Sequence, residues 1–253
     1  MSVRRIAERL ARGRTLWRRL PRDLSRAPLL VSPDAALQLV KPGDAAFDPM
    51  LLRFCREDVA PGAVVWDVGA NVGIVSLGAA VRDAEVLAIE PDPFLGGLLR
   101  RTAAHPENRS RGIDVLGAAV AAAPGTARLA IAGRGRASNF LEDFGGRSMA
   151  GGMRESCLVP LLTLDLLLQD RRSPDLIKID VEGAEVAVLD GARHLLETAR
   201  PTVLIEVSGE TGPEVLARFA SLGNYRVFDF ETGAECIDGK RTGMNLIARP
   251  QSG

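Results

Sequence analysis

The chain has 253 residues, of which 46% are hydrophobic and 25% charged, the composition of a soluble globular protein built as one large domain or one domain with an appendage. A chain of this length buries enough surface to fold without a disulfide or a metal. Thirty-two basic residues balance thirty-two acidic ones, which excludes a protein that binds nucleic acid over its whole surface.

The balance is uneven along the chain. The first 26 residues carry nine arginines against Glu8 and Asp23, an excess of seven, so the rest is acidic by the same amount. Ile6, Leu10, Leu16, Trp17 and Leu20 fall loosely at helical spacing beneath these arginines. Residues 1–48 are therefore read as an Arg-rich arm, either a solvated helical arm packed on its own domain or partly disordered, or an amphipathic helix that contacts an anionic membrane or a protein partner. The arm has no apolar h-region of a secretory signal, and no stretch approaches the ~20 apolar residues of a membrane span. Cys55, Cys157 and Cys236 are odd in number, far apart and without zinc spacing, which suits a reducing cytoplasm.

Residues 49–253 read as one α/β domain. Short apolar runs at 63–68, 85–90, 113–116, 175–180, 202–207, 225–230 and 244–248 predict strands, and the segments 72–81, 94–104, 184–189, 192–198 and 213–222 predict helices. Continuous apolar strands alternating with helices predict a doubly wound, mostly parallel sheet. The polar loop 231–242 offers no crossover helix, so the final strand is predicted antiparallel. Between 123 and 160 the alternation breaks. APGTARLAIA predicts a hairpin arm, and the Gly/Arg/Ser-rich segment after it a flexible loop near the active site, where Ser138 and Asn139 could meet a substrate hydroxyl.

The first strand runs into DVGANVG, which sets Asp67, Gly69, Ala70, Asn71 and Gly73 on a strand-to-helix turn. Glycine lets the backbone approach a ligand closely, and the helix start offers unpaired amides. Glu90, followed by Pro91, ends the second strand 17 residues after Gly73, where a carboxylate can accept hydrogen bonds from ribose hydroxyls. The spacing G-x-N-x-G departs from the G-x-G-x-x-G of dinucleotide folds, and Asp67 would repel a pyrophosphate. A cationic, phosphate-free adenosine derivative such as S-adenosylmethionine suits this turn better than NAD. Asp67 as a plain cap of the turn remains the alternative.

A second cluster, Lys178, Asp180, Glu182 and Glu185, follows the strand DLIKID, at the strand end where α/β sheets bind ligands. Asp180 or Glu182 is the expected general base or substrate-orienting group and Lys178 its electrostatic partner; helix capping is the competing role. Glu206, ending the next strand, could face the same cleft. No metal ligands are assigned, although a divalent metal that acidifies the acceptor is left open. His105 and His194 have no nucleophile beside them, which removes a Ser/Cys–His–Asp hydrolase, and His194 is expected to pair with Asp190.

DVGANVG, IEPDP, LTLDLLL and DLIKIDVEGAEVAVLDGA followed by RPTVLIEV resemble the FkbM-like class I methyltransferases that use S-adenosylmethionine. The resemblance covers about residues 63–207. It implies a seven-stranded Rossmann-like sheet with a reversed final hairpin, and O-methylation of a hydroxyl on a sugar or secondary metabolite, hence a small-molecule or glycan acceptor and no nucleic acid. It places Asp67, Gly69, Asn71, Gly73 and Glu90 in the cofactor motif, with Gly117 and Ala118 on the adenine side. Two other readings stay open: an NAD-dependent oxidoreductase, and a methyltransferase-like subunit that binds without chemistry.

Overall fold

The computed structural model describes residues 12–133, 135–144, 152–236 and 243–251. Strand β1 (Leu16–Arg19) pairs antiparallel with β2 (Pro28–Val31), Leu16 facing Val31 and Arg19 facing Pro28. Helix α1 (Pro49–Glu57) starts at Asp48, whose Oδ1 accepts the N–H of Met50 at 2.8 Å, an N-cap followed by proline at the first helical position. There follow β3 (Val64–Val68), α2 (Ile74–Ala80), β4 (Glu85–Ile89), α3 (Pro93–Ala103) and β5 (Ile113–Leu116). Next come β6 (Ala119–Val120), β7 (Gly125–Ala132), β8 (Phe140–Leu141), β9 (Met153–Leu162), α4 (Leu164–Leu167), β10 (Leu176–Ile179), α5 (Glu185–Asp190) and α6 (Arg193–Thr198). The chain continues with β11 (Thr202–Glu206), α7 (Gly212–Leu222), β12 (Tyr225–Asp229) and β13 (Asn245–Pro250).

The principal sheet has seven strands in the order β12-β13-β11-β10-β3-β4-β5. All pairings are parallel except those of β13, which lies antiparallel between β11 and β12. This is the reversed ending predicted from the helix-free loop. Alternation along β3 sends Val64, Trp66 and Val68 into one core, with Ile177, Ile179 and Val203. Val65 goes to the other face, against α1 and α2. Asp67 shares the Val65 side, where its neighbour in the register is Lys178.

The arm departs from the helical expectation. Leu16 and Trp17 belong to β1, and Pro21 and Pro28, which cannot donate a helical N–H, frame the bend between the two strands. Leu20, Leu24, Leu29, Leu30 and Val31 are buried in the same cluster as Phe54, Val65 and Leu77, so a boundary at residue 49 separates no independent core. Ile6 and Leu10 lie outside the described residues.

The middle segment forms a second, four-stranded sheet, β6-β9-β7-β8. The hairpin arm expected from APGTARLAIA is β7, paired antiparallel with β9 along its whole length and bulged at Ile131/Ala132. Residues 134 and 145–151 of the predicted flexible loop lie outside the described residues. Among the described residues no helix is long and apolar enough to cross a membrane.

Candidate active site

The turn from β3 into α2 can be made only with glycine at its tightest point. Gly69 has φ +72°, and a Cβ there would sit 1.9 Å from the carbonyl oxygen of Asp180. Gly73 has φ +89°, and its Cβ would sit 2.1 Å from Leu99 Cδ1. The N–H groups of Gly69 and Ala70 both reach the carbonyl of Ile89, at 2.9 and 3.1 Å, which ties the turn to the end of β4. Asn71, at φ +54°, brings its N–H to Glu90 Oε2 at 2.7 Å, while Asp92 N–H donates to Oε1 at 2.8 Å. Each Glu90 oxygen therefore keeps a second lone-pair direction for a ligand hydroxyl. Burial pushes the Glu90 carboxyl up to about 7, and the two amides offset part of that rise.

Asp67 is fully buried; Oδ2 accepts the Ser76 hydroxyl at 2.6 Å and Oδ1 lies 3.4 Å from Lys178 Nζ. It does not merely cap the turn: it helps to fix Lys178, which donates to the carbonyl of Gly69 at 2.7 Å and approaches Asp180 Oδ2 at 3.3 Å. Burial alone would lower the ammonium pKa; Asp180 and Asp67 outweigh it and push it up to about 12. One buried cation thus joins the glycine turn to the end of β10. The cap of α5 is Ala184, with no side-chain cap hydrogen bond, so the capping role considered for Asp180 is not realised. Its carboxylate instead faces Lys178, partly exposed.

Two clefts meet here. The first, of ≈ 610 Å³, is bounded by Gly69, Glu90, Pro91, Leu95 and Ala118, and by the 136–141 segment of the middle sheet. The second, of ≈ 690 Å³, is bounded by Asp67, Ala70, Lys178 and Glu206, and by Gln38, Asp48, Met50 and Leu51. Asn71, Ala137 and Asp180 line both. Asn71 Oδ1 is buried at this junction without a hydrogen-bond partner, an acceptor placed for a ligand donor.

Glu182 lines the first cleft at φ +48°, two residues after Asp180 in the chain. Glu185 is buried and accepts the N–H of Gly183 at 2.8 Å, a local role in the turn. Gly117 does not line the first cleft, whereas Ala118 does. Asn139 lines the first cleft and is held by both sides of its amide: Nδ2 donates to Asp92 at 2.7 Å and Oδ1 accepts the N–H of Ala132 at 3.0 Å. His105 packs against Trp17 with the two rings tilted by 60°. His194 has no Asp190 partner; Asp190 binds Arg218 at 2.7 Å instead. Among the described residues no group of three His, Cys, Asp or Glu side chains is arranged to hold a metal ion.

Sequence reading missed the network behind the first cleft. Asp92, buried at the start of α3, accepts Arg136 Nη1 at 2.6 Å. Arg136 also reaches Asp34 at 3.2 Å, and Arg154 closes the cluster with bonds of 3.1–3.2 Å to Asp34. Burial would raise the Asp34 carboxyl, but Arg154 and Arg136 hold it below the usual carboxylate range. The network fastens the segment after β2, the loop after β4 and the middle sheet to one another.

A family model described as the Methyltransferase FkbM domain matches residues 67–227. Hexuronic acid methyltransferase AglP of Haloferax volcanii is 25% identical over 178 residues, covering 68% of this chain and 66% of that protein. The crystal structure of methyltransferase FkbM from Methylobacillus flagellatus KT matches with a TM-score of 0.53 and 20% identity, covering 79% of this chain and 48% of that one. The chain thus spans just under two thirds of the first protein and about half of the second. The structural likeness shows the fold, a class I, Rossmann-like sheet flanked by helices.

Proposed function

This chain belongs to the FkbM methyltransferase family, and on that premise we propose that it transfers a methyl group from S-adenosylmethionine to a hydroxyl oxygen of a sugar or secondary metabolite. The observation that carries this reading is the position of Asp180, a carboxylate held by buried Lys178 where the two clefts meet. The residues present fit the cofactor. Glu90 keeps lone pairs for ribose hydroxyls, Gly69, Asn71 and Pro91 shape the wall beside it, Ala118 offers an apolar surface, and the orphaned Asn71 Oδ1 awaits a donor. When bound, S-adenosylmethionine supplies an electrophilic methyl group on a sulfonium whose neutral thioether departs without an acid.

The chain's own task is then to hold the acceptor and remove its proton. Asp180, partly exposed, is the base, and Lys178 fixes its carboxylate in place. Glu206 and Asp48, across the second cleft, offer acceptors that orient a polyhydroxylated ligand. Glu182 stands on the cofactor side and orients rather than deprotonates. A sugar acceptor is supported by the relative that modifies a hexuronic acid.

Calorimetric titration with S-adenosylhomocysteine and with NAD tests the cofactor, and a panel of sugar acceptors analysed by mass spectrometry for a methyl ether tests the reaction. Micromolar binding of the thioether but not of NAD, with a methyl ether formed, is expected. Tight binding of NAD alone, or methylation at nitrogen or carbon only, overturns the proposal.

A further inference from the structure

The hairpin that replaces the expected helix presents a surface that plays no part in either cleft. Trp17 is 45% exposed on β1, and its ring lies 4.8 Å from that of His105, in the turn after α3. Two residues on, Arg19 reaches the same turn and pairs with Glu107 at 2.8 Å; it also donates to the carbonyl of Arg26. The hairpin bend and the turn after α3 therefore form one continuous face. Its acids are already taken up, Glu107 by Arg19 and Asp23 by Arg56. Arg22, Arg26, Arg101 and Arg109 are exposed and, among the described residues, none has a carboxylate partner.

An exposed tryptophan on a face whose bend and turn also carry exposed arginines, without a carboxylate partner among the described residues, has the chemistry of a bilayer interface. The indole prefers the headgroup level, and each arginine gains from anionic lipid. Trp17 and His105 pack on each other at 4.8 Å and offer no row of separate platforms for successive bases, which disfavours a single-stranded nucleic acid as the partner. We propose that this face docks the protein on the surface of an anionic phospholipid bilayer, with Trp17 at the headgroup boundary and Arg22, Arg26, Arg101 and Arg109 over the phosphates.

The intact chain and phosphatidylglycerol-rich vesicles test this, with pure phosphatidylcholine vesicles as the control. Trp66 is buried, so a shift in tryptophan emission reports Trp17. Co-sedimentation with the anionic vesicles and a blue shift of emission are expected, both weakened by salt. In the Arg22→Gln/Arg109→Gln variant, which alters two exposed side chains, affinity should fall by about fivefold per arginine with an unchanged melting temperature. In Trp17→Phe the blue shift should vanish while electrostatic binding persists. Equal binding to neutral vesicles, vesicle binding without an emission shift, affinity indifferent to the arginine changes, or retention of a single-stranded oligonucleotide in preference to vesicles each overturns the proposal.

Discussion

Glu90 accepts the backbone N–H of Asn71 at 2.7 Å, so the carboxylate expected to receive a ribose is also the clasp between the end of β4 and the glycine turn. Its folded carboxyl value of about 7 lies above the ordinary 4.5. The folded protein therefore keeps a proton, between those two values, that the unfolded chain has released. Stability associated with Glu90 is full below pH 4.5 and is lost as pH rises through about 7. Binding should run the other way, because the ionised carboxylate is the better acceptor. Affinity for S-adenosylhomocysteine is expected to climb about tenfold per pH unit and to level off above about pH 7. Glu90→Gln should flatten both profiles; a wild-type affinity already flat across that range would remove Glu90 from the ribose site.

Lys178→Met strips the counter-charge from Asp67, which is wholly buried and would keep only the Ser76 hydroxyl. Breaking a buried pair in this way should cost about 3–5 kcal/mol. Denaturant titration with an unchanged slope is the measurement, and adding Asp67→Asn to the same chain should recover part of the loss. A single variant as stable as the parent would show that Asp67 does not rely on Lys178.

Asp180→Asn should leave thioether affinity within about twofold and reduce turnover by about 100-fold or more, the scale of a lost general base. The substitution keeps size and shape, and the side chain is 32% exposed, so folding should survive it. Turnover near that of the parent would reduce Asp180 to an orienting group.

Arg136→Met removes a charged donor from fully buried Asp92 and leaves it Asn139 and the N–H of Phe94. Since Asp92 and Glu90 share one loop, the expected effect is a loss of about 1.5–3 kcal/mol of stability together with weaker cofactor binding. Arg136→Lys should restore stability only in part, because Arg136 serves Asp34 and Asp92 simultaneously with separate nitrogens. Thermal melts with and without S-adenosylhomocysteine separate the two effects.

The glycine turn, Glu90 and Asp180 could be found in the sequence because each lies at the end of an apolar strand whose direction the alternation with helices fixes. The reversed β13 was legible for the same reason: residues 231–242 hold no crossover helix. Lys178 beside Asp67 was half legible, since alternation puts Lys178 and Asp180 on one side of β10 but only the register of β10 on β3 puts Asp67 there too. The Asp92–Arg136 bond joins residues 44 apart across two sheets, and charge complementarity at that distance leaves no local pattern. Asp92 before Pro93 announces a helix start and conceals the second duty. The hairpin at Leu16–Val31 was misread because a four-residue strand with arginines beside apolar residues satisfies a loose helical spacing equally well.

The insertion of β13 between β11 and β12 sets an order of events during synthesis. Until Asn245–Pro250 leaves the ribosome, β11 has a bare hydrogen-bonding margin next to Val203, Leu204 and Ile205, and β12 has no strand to join. A nascent chain stalled before that point carries an adhesive apolar ribbon, so one late stretch of six residues decides whether the sheet closes on itself or on a neighbour.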